Sequence, residues 1–468
     1  MLFNSFEFLI FFPTVCAIYF ALKHQRSRLW FLLIASCFFY GFFIPAYLLI
    51  LFLVIGIDFY AGQKIEGTQS IRTKKRFLLL SLAANISILA FFKYSNFLIG
   101  NWNQIAELLH WKYSLNALKI VLPIGLSFHT FQSMAYVLEV YHGRFKPERD
   151  LLAYSVYVLY FPQLVAGPIE RPQNILPQLH QRHDFEEHRT VTGLYLIAQG
   201  LFKKSVVADS LAPLVGQVFN NTSKFGCIAV LLAVVAFSFQ IYCDFSGYSD
   251  IARGTSRILG IELMKNFNKP YFAASVGEFW RRWHISLSTW FRDYVFIPLG
   301  GSRGTKIRSC FNLLVVFTIS GLWHGANWTF VIWGALHGAY LILENLILKP
   351  LGLERLPKWA GRVYVFVLVA SAWVLFRASS LAGAEDIFSG LFRNPFLGWQ
   401  AIAAFRIQEC LLVVFALIFF EVLDEHRHFW AWVAELKVGP RWALYFGMVW
   451  TFLTLGQFSG TQFIYFQF

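Results

Sequence analysis

Ser309-Cys-Phe-Asn-Leu-Leu-Val-Val-Phe-Thr-Ile-Ser-Gly-Leu-Trp-His-Gly-Ala-Asn-Trp-Thr-Phe-Val-Ile-Trp-Gly-Ala-Leu-His-Gly-Ala-Tyr-Leu-Ile-Leu343 contains no Asp, Glu, Lys or Arg. A membrane-spanning helix needs about 20 mostly apolar residues, so this run predicts two crossings. The rest of the chain agrees. Of its 468 residues 57% are hydrophobic and 14% charged, with 52 Phe, 20 Tyr and 16 Trp; mean hydropathy is +0.53. Soluble domains run near about 25% charged. The composition excludes a water-facing globule and predicts a polytopic membrane protein.

Outward from that run, further candidate spans lie at 8–22, 77–92, 120–138 and 225–243. The run 29–61 has Asp58 as its one charge and is too long for a single crossing; Gly41 and Pro45 predict a break into two. The run 151–169 is uncharged but interrupted by Pro162. Lys203, Lys204 and Asp209 break 193–212. The last candidates are 363–376, 410–420 and 442–468. The prediction is an all-α protein of roughly ten to twelve crossings plus re-entrant or interfacial helices, forming one integral domain over 1–468. No internal repeat or soluble appendage is evident.

The net charge of +14 has a membrane explanation. Basic residues collect in short loops, 23–28 and 72–76, as cytoplasmic loops do. With the N-terminus outside, 23–28, 63–76 and 142–150 fall in the cytoplasm, and 100–116, with Trp102 and Trp111, falls outside. A nucleic-acid partner is not expected, because no soluble module gathers the basic residues. The first residues lack a basic n-region, so no cleaved signal peptide is expected. The six cysteines form no CxxC or CxxxC pair, which points to buried thiols rather than to disulfides or a metal site.

Three segments put polar groups where lipid-facing sequence would not. Glu278-Phe-Trp-Arg-Arg-Trp-His-Ile-Ser-Leu-Ser-Thr-Trp-Phe-Arg-Asp293, read as one helix, aligns His284, Ser288 and Arg292 on one face and Trp280, Trp283, Leu287 and Trp290 on another. With Arg281, Arg282, Arg292, Glu278 and Asp293 it cannot face lipid cheaply. It reads as a re-entrant or interfacial helix packed inside the protein; an amphipathic surface helix with Trp anchors is the alternative.

The second segment is Ser320-Gly-Leu-Trp-His-Gly-Ala-Asn-Trp328. Here Gly321 and Gly325 leave room beside His324 for neighbouring backbone or a substrate. A neutral imidazole can take a proton from a hydroxyl near neutral pH. The competing reading is a structural His bonded to Asn327 or a carbonyl. The third, Gln240-Ile-Tyr-Cys-Asp-Phe-Ser-Gly-Tyr-Ser-Asp250, presents Asp244 and Asp250 either to a cavity or as helix caps. His129 and His337 read as packed polar residues. No Walker A, GxSxG, HExxH or GxGxxG element occurs, so an ATPase, a nucleophile-elbow hydrolase, a zincin and a dinucleotide enzyme lack support.

In order and spacing these segments, with Phe267-Asn-Lys-Pro-Tyr271 and Ile297-Pro-Leu-Gly-Gly301, resemble the membrane-bound O-acyltransferase family, and within it the bacterial alginate O-acetylase branch. Leu122-Pro-Ile-Gly-Leu-Ser127, Gln163-Leu-Val-Ala-Gly-Pro-Ile-Glu170, Trp373-Val-Leu-Phe-Arg377 and Phe463-Ile-Tyr-Phe-Gln-Phe468 extend the likeness over nearly the whole chain. His129 stands where the branch leads one to expect an aromatic, and Arg253 where it more often has an apolar residue.

The resemblance implies a bundle around a central tunnel in the bacterial cytoplasmic membrane. It makes His324 the catalytic histidine and His284 the second functional one. Trp280, Arg281, Arg282, Trp283, Ser288, Trp323, Asn327, Asp244 and Asp250 become candidates to line the tunnel or meet substrate, Arg281 and Arg282 at CoA phosphates. The implied donor is a cytoplasmic thioester, acetyl-CoA, used as substrate, with no bound cofactor and no metal. The implied acceptor is extracytoplasmic: alginate, peptidoglycan or another exopolysaccharide, reached through a periplasmic acetyl-transferring partner and its polysaccharide machinery. D-alanyl transfer to teichoic acid belongs to a sister branch. A transporter or flippase would also explain intramembrane charge, but it predicts repeated halves.

Overall fold

Ser5, Ser70 and Thr305 each accept a backbone N–H of the turn that follows and so start a helix. The computed structural model describes residues 1–165, 167–352, 357–403, 407–427, 429–457 and 463–464, and among them the regular elements are helical. The run 29–61 breaks where Gly41 and Pro45 predict: α1 (Phe6–Ala21) is followed by α2 (Gln25–Gly41) and α3 (Tyr47–Glu66). The fourth helix, α4 (Ile71–Leu108), has 38 residues, about 57 Å at 1.5 Å per residue. It runs well past the 77–92 span and takes in half of the 100–116 loop.

α5 (Leu126–Tyr141) starts after Gly125, whose φ is +76°, rather than at 120. The 151–169 run does not cross as one helix. Its α6 (Leu151–Leu159) stops ahead of Pro162, which lacks an N–H and disfavours helical backbone just before it. Next come α7 (Pro172–Leu179) and α8 (Glu187–Leu201), which passes through a π-helical turn (Phe202–Ala208) into α9 (Asp209–Phe219). α10 (Cys227–Ile258) runs unbroken through the 240–250 segment, so Asp244 and Asp250 are interior residues of a helix and not caps.

The 278–293 segment is not one helix. It forms α11 (Val276–Arg282) and α12 (Ile285–Phe291), broken at Trp283 and His284. Then follow α13 (Lys306–His324) and α14 (Trp328–Leu343) from the uncharged run, α15 (Lys358–Arg377), α16 (Leu381–Gly390), α17 (Trp399–Ala403), α18 (Ile407–Arg427), α19 (Phe429–Glu435) and α20 (Val438–Leu455). Among the described residues six helices are long and apolar enough to cross a membrane: α3, α4, α10, α13, α14 with its π-helical extension, and α15. Part of the 442–468 candidate, 458–462 and 465–468, lies outside the described residues. The six cysteines are free; Cys243 and Cys410 are buried and the others half-buried.

Side-chain bonds join loops far apart in sequence into two opposite faces. On one, Gln25 Nε2 donates to Leu179 O (2.6 Å), Arg182 to Lys23 O (3.1 Å) and Gln63 Nε2 to Glu148 O (2.5 Å). His180 meets Glu148 at 2.8 Å, and Arg149 meets Glu66 at 3.5 Å. The three basic loops at 23–28, 63–76 and 142–150 therefore form one basic face, joined by 179–184. At the far end of α4, Asn103 brackets Leu115 (2.8 and 2.9 Å), and Trp328 Nε1 donates to Asn101 Oδ1 (2.8 Å). That second face holds Trp102 and Trp111 and receives the His324 end of α13.

Candidate active site

His284 is a helix-breaking residue with a purpose visible in its surroundings. Its φ of +43° lies in the left-handed region, which costs a non-glycine residue of order 1–3 kcal/mol and persists only where neighbours enforce it. Asn266 is that neighbour. Its Oδ1 accepts Ser286 N–H (3.1 Å) and Ser286 Oγ–H (2.9 Å) and meets His284 Nδ1 at 3.2 Å. Because the backbone N–H can only donate, the Asn266 oxygen is fixed as acceptor, and Nδ1 of His284 carries the proton. Nε2 is left as the basic nitrogen; it is buried with no hydrogen-bond partner among the described residues.

His284 is 0% exposed and His324 4%. Their ring centroids are 6.4 Å apart. His324 ends α13 and is boxed edge-on by Trp323, Trp333 and Phe376 at 5.0, 5.1 and 5.4 Å. Phe245 and Phe128 flank His284 at 4.7 and 6.2 Å. The two imidazoles thus share one buried aromatic chamber, where polar interactions are stronger than in bulk water. His324 also lines a cavity of ≈ 160 Å³, with Lys93, Trp323, Ser127, Phe128 and residues 121–126. A larger apolar cleft of ≈ 890 Å³, walled by Phe202, Phe420, Trp430 and Leu444, lies elsewhere and presents no acid–base group.

The candidate residues take different places. Trp323 lines the His324 cavity. Trp280 packs on His337 (5.0 Å) and Trp333 (5.9 Å), and Trp283 on Trp373 (4.9 Å); both are buried, which sets aside the surface-helix reading of this segment. Ser288 Oγ donates back to Trp283 O (3.2 Å), across the break between α11 and α12. Arg282 pairs with Glu278 at 2.8 Å, whereas Arg281 is exposed. Asn327 caps α14 through Thr329 N–H (3.0 Å) and donates to Ser379 O (3.0 Å), so it does not hold His324.

Gly321 and Gly325 also act differently from the expectation. A Cβ on Gly321 would stand 2.2 Å from Phe330 O, and one on Gly325 2.2 Å from the Phe330 ring. These glycines let α14 close on α13 and do not open space at the imidazole. Asp244 and Asp250 sit in a buried ion network. Lys204 bridges Asp244 (2.6 Å) and Asp209 (2.8 Å), while Lys203 pairs with Asp250 (2.8 Å). Ile464 N–H donates to Asp244 Oδ2 at 2.7 Å. Phe245, next to Asp244 on α10, joins this network to the chamber, its ring 4.7 Å from that of His284.

Two residues escaped the sequence reading. Asn266 lies next to the Phe267 motif, yet nothing local marks it as the partner of His284. Lys93 lies one residue beyond the 77–92 run, and a lone lysine in an apolar helix is the signal that could have found it. Among the described residues no cluster of His, Cys, Asp and Glu could hold a metal ion.

Residues 148–384 match the model of the membrane-bound O-acyltransferase family. The chain belongs to that family. It is 38% identical to the probable alginate O-acetylase AlgI of Pseudomonas aeruginosa over 413 residues, 86% of this chain and 76% of the relative. It is likewise 38% identical to the Azotobacter vinelandii protein of the same name, over 84% of this chain and 78% of that one. It is 35% identical to the peptidoglycan O-acetyltransferase of Helicobacter pylori, over 84% and 80% respectively. A membrane-bound O-acyltransferase is therefore the enzyme class, and the multi-pass helical architecture is the one the sequence predicts.

Proposed function

We propose that this O-acyltransferase moves an acetyl group from acetyl-CoA, supplied at the basic, cytoplasmic face, to a hydroxyl presented at the opposite face of the bacterial cytoplasmic membrane. The end product is an O-acetylated polysaccharide of the alginate or peptidoglycan type, made with a periplasmic partner. The carrying observation is the placement of His324: buried beside His284, and on the wall of a cavity lined by the 121–128 segment. The names of the relatives support acetyl transfer.

A thioester is already activated, so the protein must supply a base and a dry site. Neutral His324 takes the proton of the acceptor hydroxyl as its oxygen attacks the thioester carbonyl. The C–O bond forms, the C–S bond breaks, and the leaving thiolate takes the proton back from the imidazolium. His284, with Nδ1 anchored by Asn266, offers Nε2 to orient the donor.

The test is release of CoA thiol from acetyl-CoA, with alginate or peptidoglycan fragments supplied as hydroxyl acceptor, by membrane vesicles containing the whole chain, beside vesicles of His324→Gln. The glutamine fills more of the aromatic box than alanine would. Loss of the base is expected to cut the rate by about 10²–10⁴ at equal protein level. Near-normal thiol release by His324→Gln overturns the role of His324; substrate flux without thiol release overturns the chemistry.

A further inference from the structure

Lys93 is a charged residue in the middle of α4, at a depth where charge is expensive and by default functional. Its Nζ donates to the carbonyls of Trp323 (2.6 Å) and His324 (3.0 Å). The next residue, Tyr94, donates its hydroxyl to Leu322 O (3.0 Å). The last turn of α13 is thus held from outside by two consecutive residues of another helix. Helix C-terminal carbonyls carry partial negative charge and suit a cation, so the ammonium form fits this seat.

An ammonium has three N–H donors, and the two carbonyls use two. The third has no oxygen or nitrogen partner among the described residues. Lys93 lines the same ≈ 160 Å³ cavity as His324. A cation is therefore pinned in place beside the candidate base, with one donor in reserve. That is the arrangement required where negative charge appears on an acyl oxygen, and a preorganised donor there is worth more than in water.

We propose that Lys93 is the oxyanion-stabilising residue of this site. The inference rests on the acyl-transfer reading above. As the acceptor oxygen bonds to the thioester carbon and His324 takes its proton, the carbonyl electron pair moves to oxygen. The third N–H of Lys93 hydrogen-bonds that oxyanion. When the intermediate collapses, the C=O re-forms, the C–S bond breaks and the thiolate leaves with the His324 proton. Lys93 keeps all its protons throughout.

The experiment measures CoA thiol release from acetyl-CoA in membrane vesicles of the wild type, Lys93→Gln and Lys93→Met. The glutamine amide retains two N–H donors for the two carbonyls but lacks the third donor and the charge. For Lys93→Gln the expected result is a fall in kcat of about 10²–10³, with KM for acetyl-CoA and the melting temperature in detergent nearly unchanged. Lys93→Met, apolar and unbranched, should fall at least as far. Either variant within threefold of the wild-type rate overturns the proposal. Failure of both to accumulate also overturns it, since Lys93 is then a pin for α13 and no more. Wild-type vesicles that release no thiol with alginate or peptidoglycan fragments present as hydroxyl acceptor overturn acyl transfer itself, an outcome seen before any variant is compared.

Discussion

His284 and Asn266 show how a single side chain sets the chemistry of another. Asn266 Oδ1 receives three donors from the His284–Ser286 turn, so it fixes both the left-handed backbone and the protonated nitrogen. Asn266→Leu removes all three at once. The expected outcome is a fall in thiol release of about tenfold to a hundredfold, typical of a reacting group displaced by an ångström or so. Asn266→Asp should lose less, because its carboxylate still accepts from Ser286; equal activity of the leucine variant and the wild type would refute the tautomer argument. Glu170 offers a test at the same scale. It is buried, and that burial lifts its carboxyl from 4.5 to about 7 against the opposing pull of Asn174 and Met264 N–H. Between those two values the folded protein holds a proton that the unfolded chain has released. Stability therefore falls as pH rises from about 4.5 to about 7 and is flat above. Glu170→Gln removes the dependence: its melting temperature relative to wild type should climb from pH 5 to pH 8. A constant offset across that range would contradict the burial argument.

Helix contacts, by comparison, are set by glycines in register. A Cβ on Gly247 would lie 2.7 Å from Gly200 O, and one on Gly254 would lie 2.5 Å from Gly193 O. α8 and α10 thus meet backbone to backbone at two levels, a close approach that small residues permit within membranes. Gly247→Ala should destabilise by about 1–3 kcal/mol through overpacking, read as a lowered melting temperature in detergent. An unchanged melting temperature would mean that the helices do not approach so closely. The same residues explain what sequence alone could reveal. The break at Gly41 and Pro45 and the two crossings after Ser309 are legible because composition and local backbone preference decide them. The break at His284 is not, because nothing within 278–293 forbids a continuous helix; Asn266, eighteen residues back, imposes it. Lys93 meets Trp323 across 230 positions, a pairing no local pattern encodes. The two glycines at His324 were legible as a close approach, but the approaching group is α14 and not a substrate. Lys203 and Lys204 likewise marked a break in an apolar run, yet their partners Asp244 and Asp250 belong to a helix predicted separately.

Across the whole molecule, the distribution of charge and the direction of the helices give an orientation. The basic loops 23–28, 63–76 and 142–150 share one face, and α4 carries the chain from there to the Trp102 and Trp111 face. Lys306 opens α13 and His324 closes it, so the cavity of Lys93 and His324 lies toward the aromatic face, while exposed Arg281 and the start of α13 lie toward the basic one. With basic loops retained in the cytoplasm, a donor arriving from inside passes α11 and His284 before it reaches His324, and an acceptor arriving from outside meets His324 first. The prediction is vectorial, and single-cysteine labelling in a background without the six native cysteines checks it. Lys112→Cys should react with an impermeant maleimide in intact cells. Lys75→Cys and Gln181→Cys should react only after the membrane is opened. If Lys75→Cys labels from outside, the order reverses: acetyl-CoA would have to arrive at the Lys93 cavity, and the 121–128 segment would become the donor's entrance instead of the acceptor's. The Gln181 position matters equally, because the bonds of Gln25, Arg182 and His180 put residues 179–184 on the basic face. Labelling of Gln181→Cys on the side opposite to Lys75→Cys would be incompatible with those bonds.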